Sequence, residues 1–172
     1  MKQVSILCLI TMLSLTRLSA QQPYEVISDP SGEKILKGLI TRDLLQKDSG
    51  YKWYADGLKG YTPNKAALEA LTKNKDSINL VVFMGTWCGD SHFVIPKFFS
   101  LLDAAGFPMN RVTLIGVDRN KKTLAYLAEA FHLINVPTII VMKKGLEKGR
   151  VVEYGKSGSF DKDLGEIINA AL

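Results

Sequence analysis

Residues Trp87-Cys88-Gly89-Asp90-Ser91-His92 bring a thiol, a carboxylate, a hydroxyl and an imidazole into six consecutive positions. A thiolate can attack a disulfide, attack an acyl group or ligate a metal, so three chemistries open at Cys88. The residues before it, SINLVVFMG, form a nearly continuous apolar run, the pattern of a strand buried on both faces. Those after it, SHFVIPKFFSLLDAAG, place Phe93, Ile95, Phe98, Phe99 and Leu102 at helical spacing and stop at Gly106. Cys88 therefore stands at a strand-to-helix junction. There the unpaired N–H groups and the positive end of the helix dipole favour a thiolate, and α/β proteins expose reactive groups. The competing reading is a small buried hydrophobe, against which the bare or polar Gly89, Asp90 and Ser91 count.

The neighbours act in different directions. Ser91, three residues on, is placed to hydrogen-bond to a sulfur anion but cannot attack a disulfide as a second thiol would. Asp90 suits a helix start yet disfavours another negative charge beside it. His92 is four residues on, within helical reach of the sulfur, and a protonated ring would offset Asp90. Cys88, Asp90 and His92 carry metal-ligating atoms, but they crowd into one turn without a fourth ligand, so no metal and no cofactor is expected. A Cys-His acyl-transfer pair lacks an orienting group, and His132 falls after a different helix.

A second feature lies at INVPTIIV, residues 134–141. Proline cannot sit in the middle of a ladder, so Pro137 marks a strand entrance. A cis bond after Val136 would turn the preceding backbone outward for an extended peptide, although local physics alone favours the trans form.

The elements that must hold these residues follow from periodicity. Ile35, Leu36, Leu39, Ile40, Leu44 and Leu45 recur as in a helix, which ends near Gly50. YKWYADGLKGYTP packs four aromatic residues into an irregular span, more a cap than a free linker. From Pro63 helices and strands alternate. NKAALEALTKNK predicts a helix and RVTLIGVD a strand, followed by KKTLAYLAEAF as a helix. TIIVMK and GRVVEYG read as strands joined by a turn over KGLEKG, and SFDKDLGEIINAAL as a last helix with Ser159 at its N-cap. The order describes an α/β domain with a mixed central sheet.

The first 20 residues combine Lys2, an apolar run from Val4 to Leu15, and small residues at Ser19 and Ala20, the layout of a secretory signal peptide. The run is short for a bilayer span, and no later stretch is longer, so no stable membrane insertion is expected after cleavage. Cys8 falls inside that segment. Removing it takes the formal charge from +5 to +3 by loss of Lys2 and Arg17, and leaves Cys88 as the one cysteine. An exported chain with a single thiol has no internal disulfide framework, so the thiol is either protected or used. Basic residues are interspersed with acidic ones, with no arginine-rich helix for nucleic acid.

TWCGDS, the proline eight residues after Cys88 (Pro96), GVDRN, NVPT and VVEYG before a last helix occur in an order and spacing that resemble the thioredoxin family over residues 65–172. The resemblance implies a thioredoxin-like fold and divides the chain into a signal peptide (1–20), an N-terminal helical and aromatic extension (21–64) and that domain. It also implies that Cys88 is the attacking cysteine, with Trp87 beside it and Pro96 kinking its helix. Pro137 would be the cis-proline facing the sulfur, Val136 the backbone that pairs with substrate, and Gly155 a glycine near the groove. Gly89, Asp90 and His92 complete the supporting set. Three departures stand out: Asp90 replaces the usual proline, Ser91 replaces the resolving cysteine, and Val82 replaces a buried aspartate that assists proton transfer.

The expected activity is thiol–disulfide exchange or isomerisation through a mixed disulfide on Cys88, with Ser91 beside it and release by an external thiol. Such a protein would be a monothiol oxidoreductase or isomerase rather than a dithiol reductase. Its partners would be protein or small-molecule thiols and disulfides, in a bacterial periplasm or secreted. The alternative is a non-enzymatic peptide-binding or chaperone-like module, consistent with the losses at Ser91 and Val82.

Overall fold

The apolar run before Cys88 is the middle of the sheet. The computed structural model describes residues 22–171, and the expected signal segment lies outside the described residues. In chain order the strands are β1 (Tyr24–Ser28), β2 (Lys34–Ile40), β3 (Asn79–Met84), β4 (Val112–Gly116), β5 (Thr138–Lys143) and β6 (Leu146–Val152). The helices are α1 (Arg42–Lys47), α2 (Lys52–Gly57), α3 (Lys65–Asn74), α4 (Gly89–Ala105), α5 (Leu127–Ala130) and α6 (Phe160–Ala170). The sheet runs β1-β2-β4-β3-β5-β6, with β3 parallel to β4 and the other pairs antiparallel. It is the thioredoxin-like mixed sheet flanked by helices that the motif order implies. Among the described residues no helix is long and apolar enough to cross a membrane.

Alternation along β3 divides the core between the two faces. Leu80, Val82 and Met84 join the larger cluster, which draws on α1, α2, α3, α4 and α6. Phe83 enters a smaller cluster with Ile115, Val117, Val136 and Ile140, against which Trp87, Cys88, Leu127 and Phe131 pack. The thiol thus lies on the lightly covered face, while the body of α4 is buried on the other.

Three local expectations change. The helix expected from Ile35 to Leu45 is a strand followed by a short helix: Ile35, Leu36 and Ile40 lie in β2, and only Arg42–Lys47 is helical. The spacing of these apolar residues fits both periods, and the exposed edge of β4 selects the strand. The helix expected over KKTLAYLAEAF shrinks to α5, because Ala125 and Tyr126 take left-handed φ values of 53° and 54°. The β5–β6 turn tightens to Lys144-Gly145, so β6 begins at Leu146 and ends at Val152, leaving Tyr154 in the following loop.

Residues 24–62 share the sheet and the larger core with the rest of the chain. Leu36, Ile40, Leu45, Tyr51 and Tyr54 are all buried there. Their far end is pinned at Asp161, in the first turn of α6. This carboxylate accepts from Tyr61 OH (2.8 Å), Asn64 N–H (2.9 Å), Ser159 OH (2.8 Å) and Lys162 N–H (2.8 Å). Ser159 is the N-cap residue, but its hydroxyl is spent on Asp161. Burial alone would raise the Asp161 pKa; the hydrogen bonds from Asn64, Ser159, Tyr61 and Lys162 outweigh it and hold the carboxyl below the usual carboxylate range.

Asp161→Ala should therefore cost about 1–3 kcal/mol in urea unfolding at neutral pH, since it strands buried donors. A depressed folded-state pKa gives stability that is present above the unfolded value, about 3.9, and lost as pH falls through the folded one. The gap between wild type and variant should accordingly narrow below about pH 4.

Candidate functional site

The junction between β3 and α4 buries its backbone, and the side chains of the motif satisfy much of it. Cys88 is the N-cap residue of α4, in extended conformation, with its N–H on Gly85 O at 3.0 Å. Ser91 is fully buried, and its hydroxyl accepts from Gly85 N–H at 3.2 Å. The hydrogen bond to sulfur expected of it is not formed. Trp87 donates from Nε1 to Val117 O at 3.0 Å. His92 Nε2 lies 2.7 Å from Thr86 O. A carbonyl only accepts, so Nε2 carries the proton, and the ring is committed to the junction rather than to the thiol. Gly89 opens the helix with no atom near the place a Cβ would occupy.

Cys88 is half-buried and, among the described residues, unpaired. Its Sγ donates to Val136 O at 3.3 Å, and the Val136–Pro137 bond is cis. Pro137 immediately precedes β5, so the structure brings Cys88, Val136 and Pro137 together as the resemblance implies. Val82 is fully buried in the larger core cluster and offers no ionisable group beneath the site.

Asp90 is bonded to the loop after β6. Its Oδ1 accepts from Tyr154 OH at 2.8 Å, across 64 positions of sequence. The Tyr154 ring packs on Phe93 at 5.4 Å between centroids, and Lys97 Nζ sits 3.5 Å above the Phe93 ring. The hydrogen bond to Asp90 is the first cause that raises the Tyr154 hydroxyl above its ordinary value. Burial and the negative charges of Asp90, Cys88 and Glu153 add to it. Gly155 follows with φ +81°, and a Cβ there would fall 2.3 Å from Asp163 Oδ2. Its direct neighbour is thus the first turn of α6, while Tyr154 faces the cysteine's helix.

The N-terminal segment braces the same junction. Thr86 Oγ1 accepts from Leu36 N–H (3.2 Å) and donates to Lys34 O (3.1 Å), tying β2 to the loop before Cys88. Trp53 stacks on His92, centroids 4.2 Å apart and planes at 12°. Pro96 has no N–H, so it leaves the His92 carbonyl without its helical donor. Gly57 of α2 fills that place closely: a Cβ would meet Pro96 Cγ at 2.7 Å and His92 O at 2.9 Å. On the opposite side Arg119 lies 5.4 Å over the Trp87 ring and pairs with Asp29 and Glu33 of the β1–β2 hairpin.

Tyr154, Trp53 and Thr86 thus join the site: Tyr154 and Thr86 fall within VVEYG and TWCGDS and Trp53 within the aromatic span, but the sequence assigns none of them a role. The available signals were weak: an aromatic residue just before Gly155, a tryptophan in a polar span, and a hydroxyl ending an apolar run. His92 and Asp90 are hydrogen-bonded to Thr86 O and Tyr154 OH, and among the described residues neither bonds to the Cys88 sulfur. Among the described residues no group of three or more His, Cys, Asp and Glu is arranged to hold a metal.

Residues 61–166 match the protein-family model described as Thioredoxin. Thioredoxin from Echinococcus granulosus is 34% identical over 92 residues, spanning 54% of this chain and 79% of that protein. Thioredoxin from Chlamydia pneumoniae is 36% identical over 91 residues, spanning 52% and 78%. Among solved structures, a Pseudomonas aeruginosa protein of unknown function superposes with a TM-score of 0.51 at 17% identity. That match covers 77% of this chain and 88% of the other, a likeness of fold alone.

The close approach of α2 to the kink predicts that Gly57→Ala overpacks the contact and costs about 1–3 kcal/mol, read as a lower urea midpoint at unchanged m-value. A variant as stable as wild type would show that α2 does not press on α4.

Proposed function

The chain belongs to the thioredoxin family, and on that premise we propose that it is a monothiol member, which exchanges disulfides through Cys88 and relies on an outside thiol for release. The observation that carries this reading is the half-buried Cys88 sulfur at the N-terminus of α4, 3.3 Å from the Val136 carbonyl beside Pro137. The sulfur stands at the positive end of the α4 dipole. An extended client can pair with the Val136 backbone and present its disulfide to the sulfur.

The Cys88 thiolate attacks one client sulfur, a bond forms between them, and the client's other sulfur leaves as a thiolate. The mixed disulfide then needs a second thiolate. Ser91 supplies none: it carries a hydroxyl instead of a thiol, and that hydroxyl is buried on Gly85 N–H. The client's own freed thiol, a small thiol or a partner protein attacks the client sulfur and returns Cys88 as thiolate. Return by the client's thiol rearranges bonds without net oxidation or reduction, which is isomerisation. Clients in an exported compartment, periplasmic or extracellular, are the natural substrates if the N-terminal residues act as the signal that their pattern resembles.

Incubating the reduced protein with a small disulfide such as oxidised glutathione, with intact-mass readout, tests the proposal. Wild type should form a single adduct that a reductant removes, Cys88→Ser none, and Ser91→Cys an adduct of shorter lifetime, because the introduced thiol attacks Cys88's mixed disulfide. Absence of any adduct on wild type, with retained binding of unfolded polypeptide, would instead make the protein a peptide-binding module.

A further inference from the structure

The Asp90–Tyr154 pair is not explained by the exchange reaction as described. Asp90 occupies the first turn of α4, two residues from the attacking sulfur, and its charge opposes a second negative charge there. Helix capping does not account for its orientation. The carboxylate accepts the hydroxyl of Tyr154, a residue of the loop after β6, at 2.8 Å. The Tyr154 ring is held by Phe93 from α4, which carries Lys97 Nζ on its ring, so helix and loop are joined by a polar and an apolar contact at once. Phe93 is 48% and Tyr154 37% exposed, so this contact lies at the surface and serves no core.

We propose that Tyr154 is a positioning residue for the exchange reaction: its hydroxyl fixes the Asp90 carboxylate and spreads its charge, so that the Cys88 thiolate forms beside a hydrogen-bonded carboxylate rather than a free one. The proposal rests on the exchange reading above. The charged and titratable groups around Cys88 leave this task to Tyr154. His92, on α4, donates to Thr86 O and is stacked on Trp53. Arg119 is paired with Asp29 and Glu33, and Asp118 with Lys37 at 3.0 Å. Lys97 lies over Phe93, and Glu153 adds a negative charge from the same loop as Tyr154. Among the described residues no cation is bonded to Asp90, and the tyrosine hydroxyl is its partner.

The test is the rate of Cys88 alkylation by iodoacetamide, a neutral reagent, as a function of pH in wild type, Tyr154→Phe, Asp90→Asn and the double variant. Tyr154→Phe should react about two- to fivefold more slowly at neutral pH, with its curve displaced to higher pH and the plateau rate unchanged. Asp90→Asn should move the curve to lower pH, and adding Tyr154→Phe to it should change nothing further. A Tyr154→Phe curve that superposes on wild type, or the same displacement in the Asp90→Asn background, would overturn the proposal. A changed plateau with an unmoved midpoint would also overturn it, because that pattern reports access rather than charge. Adduct formation with oxidised glutathione, measured on wild type alongside, reads the exchange reaction separately. If it fails while the alkylation curves move as expected, the exchange reading falls and the Asp90–Tyr154 coupling stands.

Discussion

The bend from β3 into α4 must bury polar backbone, and the side chains that satisfy it decide which groups of the motif remain available for chemistry. Buried N–H and C=O groups without partners cost about 1–3 kcal/mol each. Gly85 N–H is met by Ser91, Thr86 O by His92 and Val117 O by Trp87. Of the groups that look reactive in sequence, the hydroxyl and the imidazole are therefore spent on architecture. Cys88 is left at the helix start, with Asp90 as its charged neighbour on α4.

The same constraint gives the N-terminal segment its part. β2 binds the Thr86 hydroxyl through its backbone on both sides, Trp53 lies flat on His92, and Gly57 lets α2 approach the Pro96 kink. Each contact falls on the stretch from Thr86 to Pro96. The segment is better understood as the brace of the junction than as a cover over the thiol, which faces Val136 and the smaller core cluster.

The elements from residue 65 onward were largely legible before the fold was known. β3, α3, α4, β4, β5 and α6 carry long apolar periods bounded by glycine, proline or a cap, and each appears near its expected place. Ile35–Ile40 misled because six residues with apolar positions at both spacings do not choose a period alone; pairing with β4 chose it. The 121–131 segment misled because Ala125 and Tyr126, in left-handed conformation, interrupt a regular helical pattern that Lys121, also left-handed, does not begin.

For the site, local pattern sufficed to put a thiol at a helix N-terminus and a proline at a strand entrance, because both follow from residue type and short-range periodicity. The orientation of the neighbours was another matter. That Ser91 and His92 face the junction, that Tyr154 reaches Asp90 across 64 positions, and that Trp53 meets His92 all depend on which distant backbone groups and rings come within bonding distance. Hydrogen bonds and stacking act over a few ångströms. Only the closed sheet, with α2, α4 and the loop after β6 packed in place, brings those partners within that range.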